Sequence, residues 1–88
     1  MKSSLKKLAP VLSMSMVMDL TNLTARQIRY YEEHNLIQPV RTGSNRRIYS
    51  LVHVDELLEI QELLNQGINI AGIKKIFEVK SQQVVYTY

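Results

Sequence analysis

Thr24-Ala25-Arg26-Gln27-Ile28-Arg29-Tyr30-Tyr31 leads into Leu36-Ile37-Gln38-Pro39 and then Asn45-Arg46-Arg47-Ile48-Tyr49-Ser50. This stretch decides the fold. Thr24-x-x-Gln27 is a capping box, in which the threonine hydroxyl and the glutamine side chain satisfy each other's orphan N–H groups. It predicts a helix from here to about His34. Side chains spaced about 100° apart put Thr24, Ala25, Ile28, Tyr31 and Glu32 on one side of that helix. Arg26, Tyr30 and Glu33 fall opposite, with Gln27 and Arg29 on the flanks. Asn35 suits the residue that ends a helix in a left-handed conformation. Ile37 to Arg41 and Arg46 to Tyr49 are expected to be extended, joined by a turn in which Gly43 and Asn45 accept positive φ. Pro39 restricts the first of these strands to a sheet edge. Two strands alone are marginal, so the hairpin must lean on the helices through Ile37, Ile48 and Tyr49.

Upstream, Ser13 or Ser15 can cap a short helix ending near Thr21, with Met16, Val17 and Leu20 expected on its inner face. Asn22 and Leu23 then make a tight turn. A short helix, a three-residue turn and a second helix form a helix-turn-helix. Downstream, Ser50 is placed to cap a third helix running to about Gln66 and stopped by Gly67. Its expected apolar arc is Val54, Leu57, Leu58 and Leu64, with Ile60 and Leu63 to one side and the acidic residues facing solvent. Asn69 can cap a fourth helix whose stripe is Ile70, Ile73, Ile76 and Phe77, with Lys74 and Lys75 off that stripe. Ser81 to Tyr88 is β-prone and lacks helical periodicity. The expected architecture is mainly α: a winged helix-turn-helix of four helices and a two-stranded β-hairpin wing. Residues 1–12 form an N-terminal arm, 13–80 the domain and 81–88 a tail.

The charge distribution says what this shape is for. All five arginines (Arg26, Arg29, Arg41, Arg46, Arg47) lie between Thr24 and Ser50, and all six lysines lie outside. Arginine's planar fork fits guanine edges and phosphates, whereas lysine acts as a point charge. Residues 51–66 carry Asp55, Glu56, Glu59 and Glu62 with no lysine or arginine. A net charge of +3 therefore hides two segregated patches, as expected when one face meets a polyanion. In this reading Arg26 and Gln27 reach base edges in the major groove. Arg29, Tyr30 and Tyr31 hold phosphates or support those contacts, Tyr31 least directly because it lies on the inner face. Arg41 is expected to contact DNA from the wing, and Asn45, Arg46 and Arg47 to grip backbone or minor groove from it.

Other chemistry finds little support. With no cysteine there is no disulfide framework, thiolate metal site or cysteine nucleophile. His34 and His53 have no ligand partners at metal spacing, and the acids of the third helix read as a solvated face. No phosphate loop, catalytic triad or metal motif appears, so neither an enzyme nor a cofactor is expected. No apolar run approaches the roughly 20 residues of a membrane span. The lysines at the start mimic an export signal, but Pro10, Ser13, Ser15 and Asp19 interrupt it.

Arg26-Gln27-Ile28-Arg29-Tyr30-Tyr31-Glu32 with Leu36-Ile37-x-Pro39, and Asn45-Arg46-Arg47-Ile48-Tyr49-Ser50, resemble the MerR family over about residues 13–79. Met18-Asp19-Leu20-Thr21, Leu57-Leu58-Glu59-Ile60 and Gly67-Ile68-Asn69-Ile70-Ala71-Gly72-Ile73-Lys74 are similar to its nitrogen branch. The resemblance implies the DNA-binding domain of a cytoplasmic bacterial transcription regulator, in function a repressor of glutamine synthetase and other nitrogen genes. It implies a dimer on an AT-rich inverted repeat, with Arg26, Arg29, Tyr30, Arg46 and Arg47 in the DNA-contacting positions. It also implies a long dimerisation helix in ordinary relatives, and in this branch a tail through which glutamine synthetase acts. Ser81 to Tyr88 resembles neither. Dimerisation is then expected through the arm and the first residues of the domain, where Val11, Leu12 and Met14 are apolar and not clearly needed for the core. Such a thin interface predicts weak association without DNA. Two rival readings are an excisionase-like architectural protein and a protein-interaction module using the acidic third helix.

Overall fold

The structure, a computed structural model, describes residues 8–84. Among these residues run four helices and one hairpin: α1 (Met14–Thr21), α2 (Ala25–Glu33), β1 (Val40–Arg41), β2 (Arg47–Ile48), α3 (Leu51–Asn65) and α4 (Ile70–Val84). The winged helix-turn-helix expected from the sequence is the fold observed.

Each helix start follows from local chemistry. The Ser13 hydroxyl accepts from the Met16 N–H at 3.2 Å, so Ser13 is the cap of α1. Thr24 and Gln27 form the reciprocal box: Thr24 N–H donates to Gln27 Oε1 at 3.0 Å, and Gln27 N–H donates to Thr24 Oγ1 at 3.1 Å. At α4, Asn69 Oδ1 accepts from Gly72 N–H at 2.8 Å. The turns are equally local. Asn22, Asn35 and Asn45 have φ of 62°, 61° and 64°, and Gly67 has 89°. Asparagine tolerates this left-handed region better than other side chains do. Gly43, expected to share the positive φ of the wing turn, does not adopt it; Asn45 alone makes the reversal. Replacing Thr24 by alanine removes one half of the box. The expected loss is about 0.5–2 kcal/mol, read as a lower urea midpoint by circular dichroism. An unchanged midpoint would show that the cap contributes nothing.

The hairpin is shorter than the sequence indicated. Only Val40 pairs with Ile48 and Arg41 with Arg47, antiparallel. Ile37 and Pro39 precede the strand instead of belonging to it. Tyr49 continues the line of β2 in a different partnership. Its N–H donates to the Leu12 carbonyl at 2.7 Å and its carbonyl accepts from Leu12 N–H at 2.8 Å. Leu12, which precedes the Ser13 cap of α1, is thus stitched to the end of the wing.

This stitch corrects the reading of the N-terminal residues. Leu12 is buried in the core and Met14 packs against it. The Tyr49 hydroxyl points at Met14 Sδ, 3.9 Å away. Neither residue is spare. Conversely, Met16 and Leu20, expected inside, are about half exposed. The inner face of α1 is Val17 and Thr21, flanked by Met14 and Met18. Thr21 is buried without penalty, because its hydroxyl donates to the Val17 carbonyl at 2.7 Å and accepts from Leu23 N–H at 3.3 Å.

The core gathers Val17, Leu23, Ile28, Leu36, Ile37, Tyr49, Val54, Leu57, Ile60 and Ile73 around the packing of α1 on α2 and α3, and of α4 on α3. On α3 the buried line runs through Ile60, while Leu58 is exposed. Its acids are not all solvated either. Glu56 and Glu59 are half-buried beside α4, where Lys80 Nζ donates to Glu59 Oε1 at 2.7 Å. Burial, then the neighbouring Glu59, raises the Glu56 carboxyl above its ordinary value, with Lys80 opposing. α4 extends to Val84, past Lys80, so the helix takes in residues 81–84 of the expected tail. Residues 85–88 and most of the expected arm, 1–7, lie outside the described residues.

His53 ties the wing to α3. Its Nδ1 accepts from Ser50 N–H at 2.9 Å, which leaves Nε2 to carry the proton and donate to the Gln38 carbonyl at 2.8 Å. The imidazole ring meets Tyr49 edge-on, with centroids 5.7 Å apart. His53 is therefore structural.

Candidate nucleic-acid interface

The short turn at Asn22 and the box at Thr24 aim α2 so that one face packs and the other is bare. Ile28 and Tyr31 are buried, whereas Arg26, Gln27, Arg29 and Tyr30 are exposed. These four residues and Glu33 line a shallow hollow on the outer face of α2. A second, open cleft lies between the start of α1 and the wing. Arg29, Asn45, Arg46 and Arg47 line one side of it, and Val11, Ser13, Ser15 and Met16 the other. Arg29 belongs to both, so helix and wing present one continuous basic surface. The amino end of α1 opens on the same cleft, and its orphan N–H groups add partial positive charge.

Seven of the nine residues singled out from the sequence meet on this surface: Arg26, Gln27, Arg29, Tyr30, Asn45, Arg46 and Arg47. Gln27 is partly committed, since its Oε1 completes the cap. Tyr30 stacks at a tilt on His34, with centroids 4.5 Å apart.

Two residues are elsewhere. Tyr31 is 5% exposed and packs in the core. Its phenol pKa is raised by burial and then by Tyr30, so it stays neutral at physiological pH. Arg41 lines neither hollow. Its guanidinium donates through one nitrogen to the Asn45 carbonyl at 3.2 Å and through the other to Glu32 Oε2 at 3.3 Å.

Glu32 is the residue the sequence reading did not assign to the site. It sits near the end of α2 and binds two wing arginines at once, with Arg47 Nε donating to its Oε1 at 2.7 Å. The only sequence signal was an acid amid five arginines, with partners 9 and 15 residues away. The same charges surround Tyr49. Its phenol is raised mainly by burial and next by Glu32, against Arg47, Arg41 and Arg29.

Among the described residues no group of three or more His, Asp or Glu side chains is placed to hold a metal ion. No helix among them is long and apolar enough to cross a membrane. The groove between α3 and α4, lined by Glu56, Glu59, Lys74 and Lys80 among others, shares no residue with the basic surface.

A compact helix-turn-helix, a basic wing and this continuous arginine surface define a class of DNA-binding domain, and sequence comparison agrees. The profile of the MerR HTH family of regulatory proteins matches residues 12–80, and the chain belongs to that family. It is 56% identical over 78 residues to the HTH-type transcriptional regulator GlnR of Bacillus anthracis and of Bacillus cereus. That match covers 89% of this chain and 60% of those relatives, so the chain spans well under their full length. It is 40% identical over 74 residues to the transcriptional regulator TnrA of Bacillus subtilis (strain 168), covering 84% of this chain and 67% of TnrA. Among solved structures, the fold matches the lead(II)-bound transcription regulator PbrR691 of Ralstonia metallidurans CH34 with a TM-score of 0.78. That match has 20% identity and covers 83% of this chain and 58% of PbrR691, a likeness of fold alone.

Proposed function

We propose that this domain binds duplex DNA with α2 in the major groove and the wing on the adjacent backbone, as part of a cytoplasmic regulator that represses nitrogen-metabolism genes. One observation carries the proposal. Arg29 joins the outer face of α2 to the Asn45-Arg46-Arg47 cleft, so base-reading and phosphate-holding groups form a single surface. The likeness to GlnR and TnrA supports the regulatory role and the nitrogen genes as targets. No catalytic machinery is invoked; the relatives are named as transcription regulators.

Two copies would bind together on an AT-rich inverted repeat. The arm and α1 offer apolar side chains for this, with Val11 70%, Met16 47% and Leu20 52% exposed, although Val11 and Met16 also wall the wing cleft. Leu12 and Met14, expected in that interface, are occupied in the core. A contact built on Val11, Met16 and Leu20 is thin, so association is expected to be weak in solution and stronger on adjacent half-sites. Glutamine synthetase is implied by the family resemblance alone, since the sequence of Ser81 to Tyr88 does not resemble the tail through which it acts in this branch. The partners proposed for this domain are DNA and a second copy.

Fluorescence anisotropy at several salt concentrations tests this with three duplexes: an AT-rich inverted repeat, a single half-site and a scrambled control. The expected result is preference for the full repeat and steep loss of affinity with salt. Equal binding to all three would leave a basic winged domain of architectural type and remove the regulator. No binding at low salt would shift the weight to a protein-interaction role.

A further inference from the structure

We propose that Glu32 sets specificity by restraint: it holds the Arg41 and Arg47 guanidiniums on the protein and limits their use as sequence-independent phosphate ligands. This rests on the DNA-binding reading above. Both carboxylate oxygens of Glu32 are engaged, one by each arginine, at 3.3 and 2.7 Å. The Glu32 side chain is only 18% exposed, so solvent and salt screen these pairs less than open surface pairs. The two arginines are held differently. Arg41 uses both terminal nitrogens internally, on Glu32 and on the Asn45 carbonyl, and acts as a strut across the hairpin. Arg47 is tethered to Glu32 through Nε, and it lines the cleft.

The consequence follows from how non-specific binding works. Each neutralised phosphate steepens the dependence of log K on log salt by about 0.9 and strengthens binding to every sequence. Base contacts favour the cognate site alone. A carboxylate that occupies two wing arginines therefore lowers the background more than it lowers readout from α2, and the ratio between the two rises. The hairpin also gains a fixed tilt against α2, because Glu32 belongs to that helix and Arg41 and Arg47 to the two strands.

Glu32→Gln tests this with nearly unchanged shape. Affinity for the scrambled duplex is expected to rise several-fold. Its salt slope should steepen by about 0.9 for each arginine released, and the cognate-to-scrambled ratio should fall. An unchanged slope and ratio, or weaker binding to both duplexes at constant slope, would overturn the inference and leave Glu32 a structural residue. A second comparison does not depend on that variant folding. Arg46→Gln is expected to flatten the slope by about 0.9, whereas Arg41→Gln should lower affinity without changing the slope. Equal flattening by both would make Arg41 a phosphate ligand and refute the strut. The wild-type duplex series separates the two levels. Wild-type binding without salt dependence would sink the DNA reading and this inference together, but steep wild-type dependence with equal flattening sinks this one alone.

Discussion

Replacing Arg26 by alanine is expected to cost about 1–3 kcal/mol on the cognate repeat and to blur preference for it. At about 1.4 kcal/mol per tenfold, affinity would fall between several-fold and about a hundredfold. Arg26 lies in the first turn of α2, exposed, in the hollow it shares with Gln27, Arg29 and Tyr30. That is where a recognition helix meets base edges, and arginine can bind the O6 and N7 of guanine through two parallel bonds. The check is a titration of wild type and Arg26→Ala against the repeat and against duplexes changed one base pair at a time. A uniform loss across all duplexes would reassign Arg26 to the backbone.

The second large effect is on stability. Tyr49→Ala is expected to cost about 3–5 kcal/mol, the range for truncating a large buried aromatic ring. Small domains have about 5–15 kcal/mol in total, and short ones sit low in that range. Tyr49 is fully buried, and its side chain meets Met14 through the hydroxyl and the His53 ring, while its backbone separately bridges to Leu12. Thermal unfolding is expected to show a much lower midpoint for Tyr49→Ala, or no cooperative transition. Tyr49→Phe is expected to be mild, because the hydroxyl reaches only a thioether at 3.9 Å, a weak acceptor. A severe Phe variant would show that the hydroxyl matters more than the ring.

What the sequence revealed and what it hid divide by distance along the chain. The Thr24–Gln27 box, the three left-handed asparagines and the stop at Gly67 each depend on neighbours within about a turn, and all were legible. The arrangement of α1 was not. Met14, Met16, Val17, Met18 and Leu20 are apolar almost all round an eight-residue helix, so periodicity fits more than one inner face. The deciding partner is the Tyr49 side chain, more than thirty residues away, which recruits Met14 and leaves Met16 and Leu20 outside. Leu58, expected on the arc of α3, is exposed, and Ile60, expected at its side, is fully buried, for a similar reason: the broad arc could rotate until its neighbours fixed it. On the candidate interface the exposed arginines could be picked from spacing alone. The difference between a free arginine and a tethered one could not, since Glu32 meets Arg41 and Arg47 only after the hairpin has folded over α2.

The bridge between Leu12 and Tyr49 has a kinetic meaning. Its two amides sit at opposite ends of a long loop of chain that contains α1, α2 and the whole wing. The two bonds belong to one bridge, so the amides are expected to show similar protection in hydrogen exchange despite their distance in sequence. Closing that loop carries an entropic cost that local helix contacts do not, so the domain is expected to refold more slowly in stopped flow than its helical content indicates. The wing, a hairpin of only two residue pairs, is then expected to keep its shape for as long as Leu12 stays docked beside it.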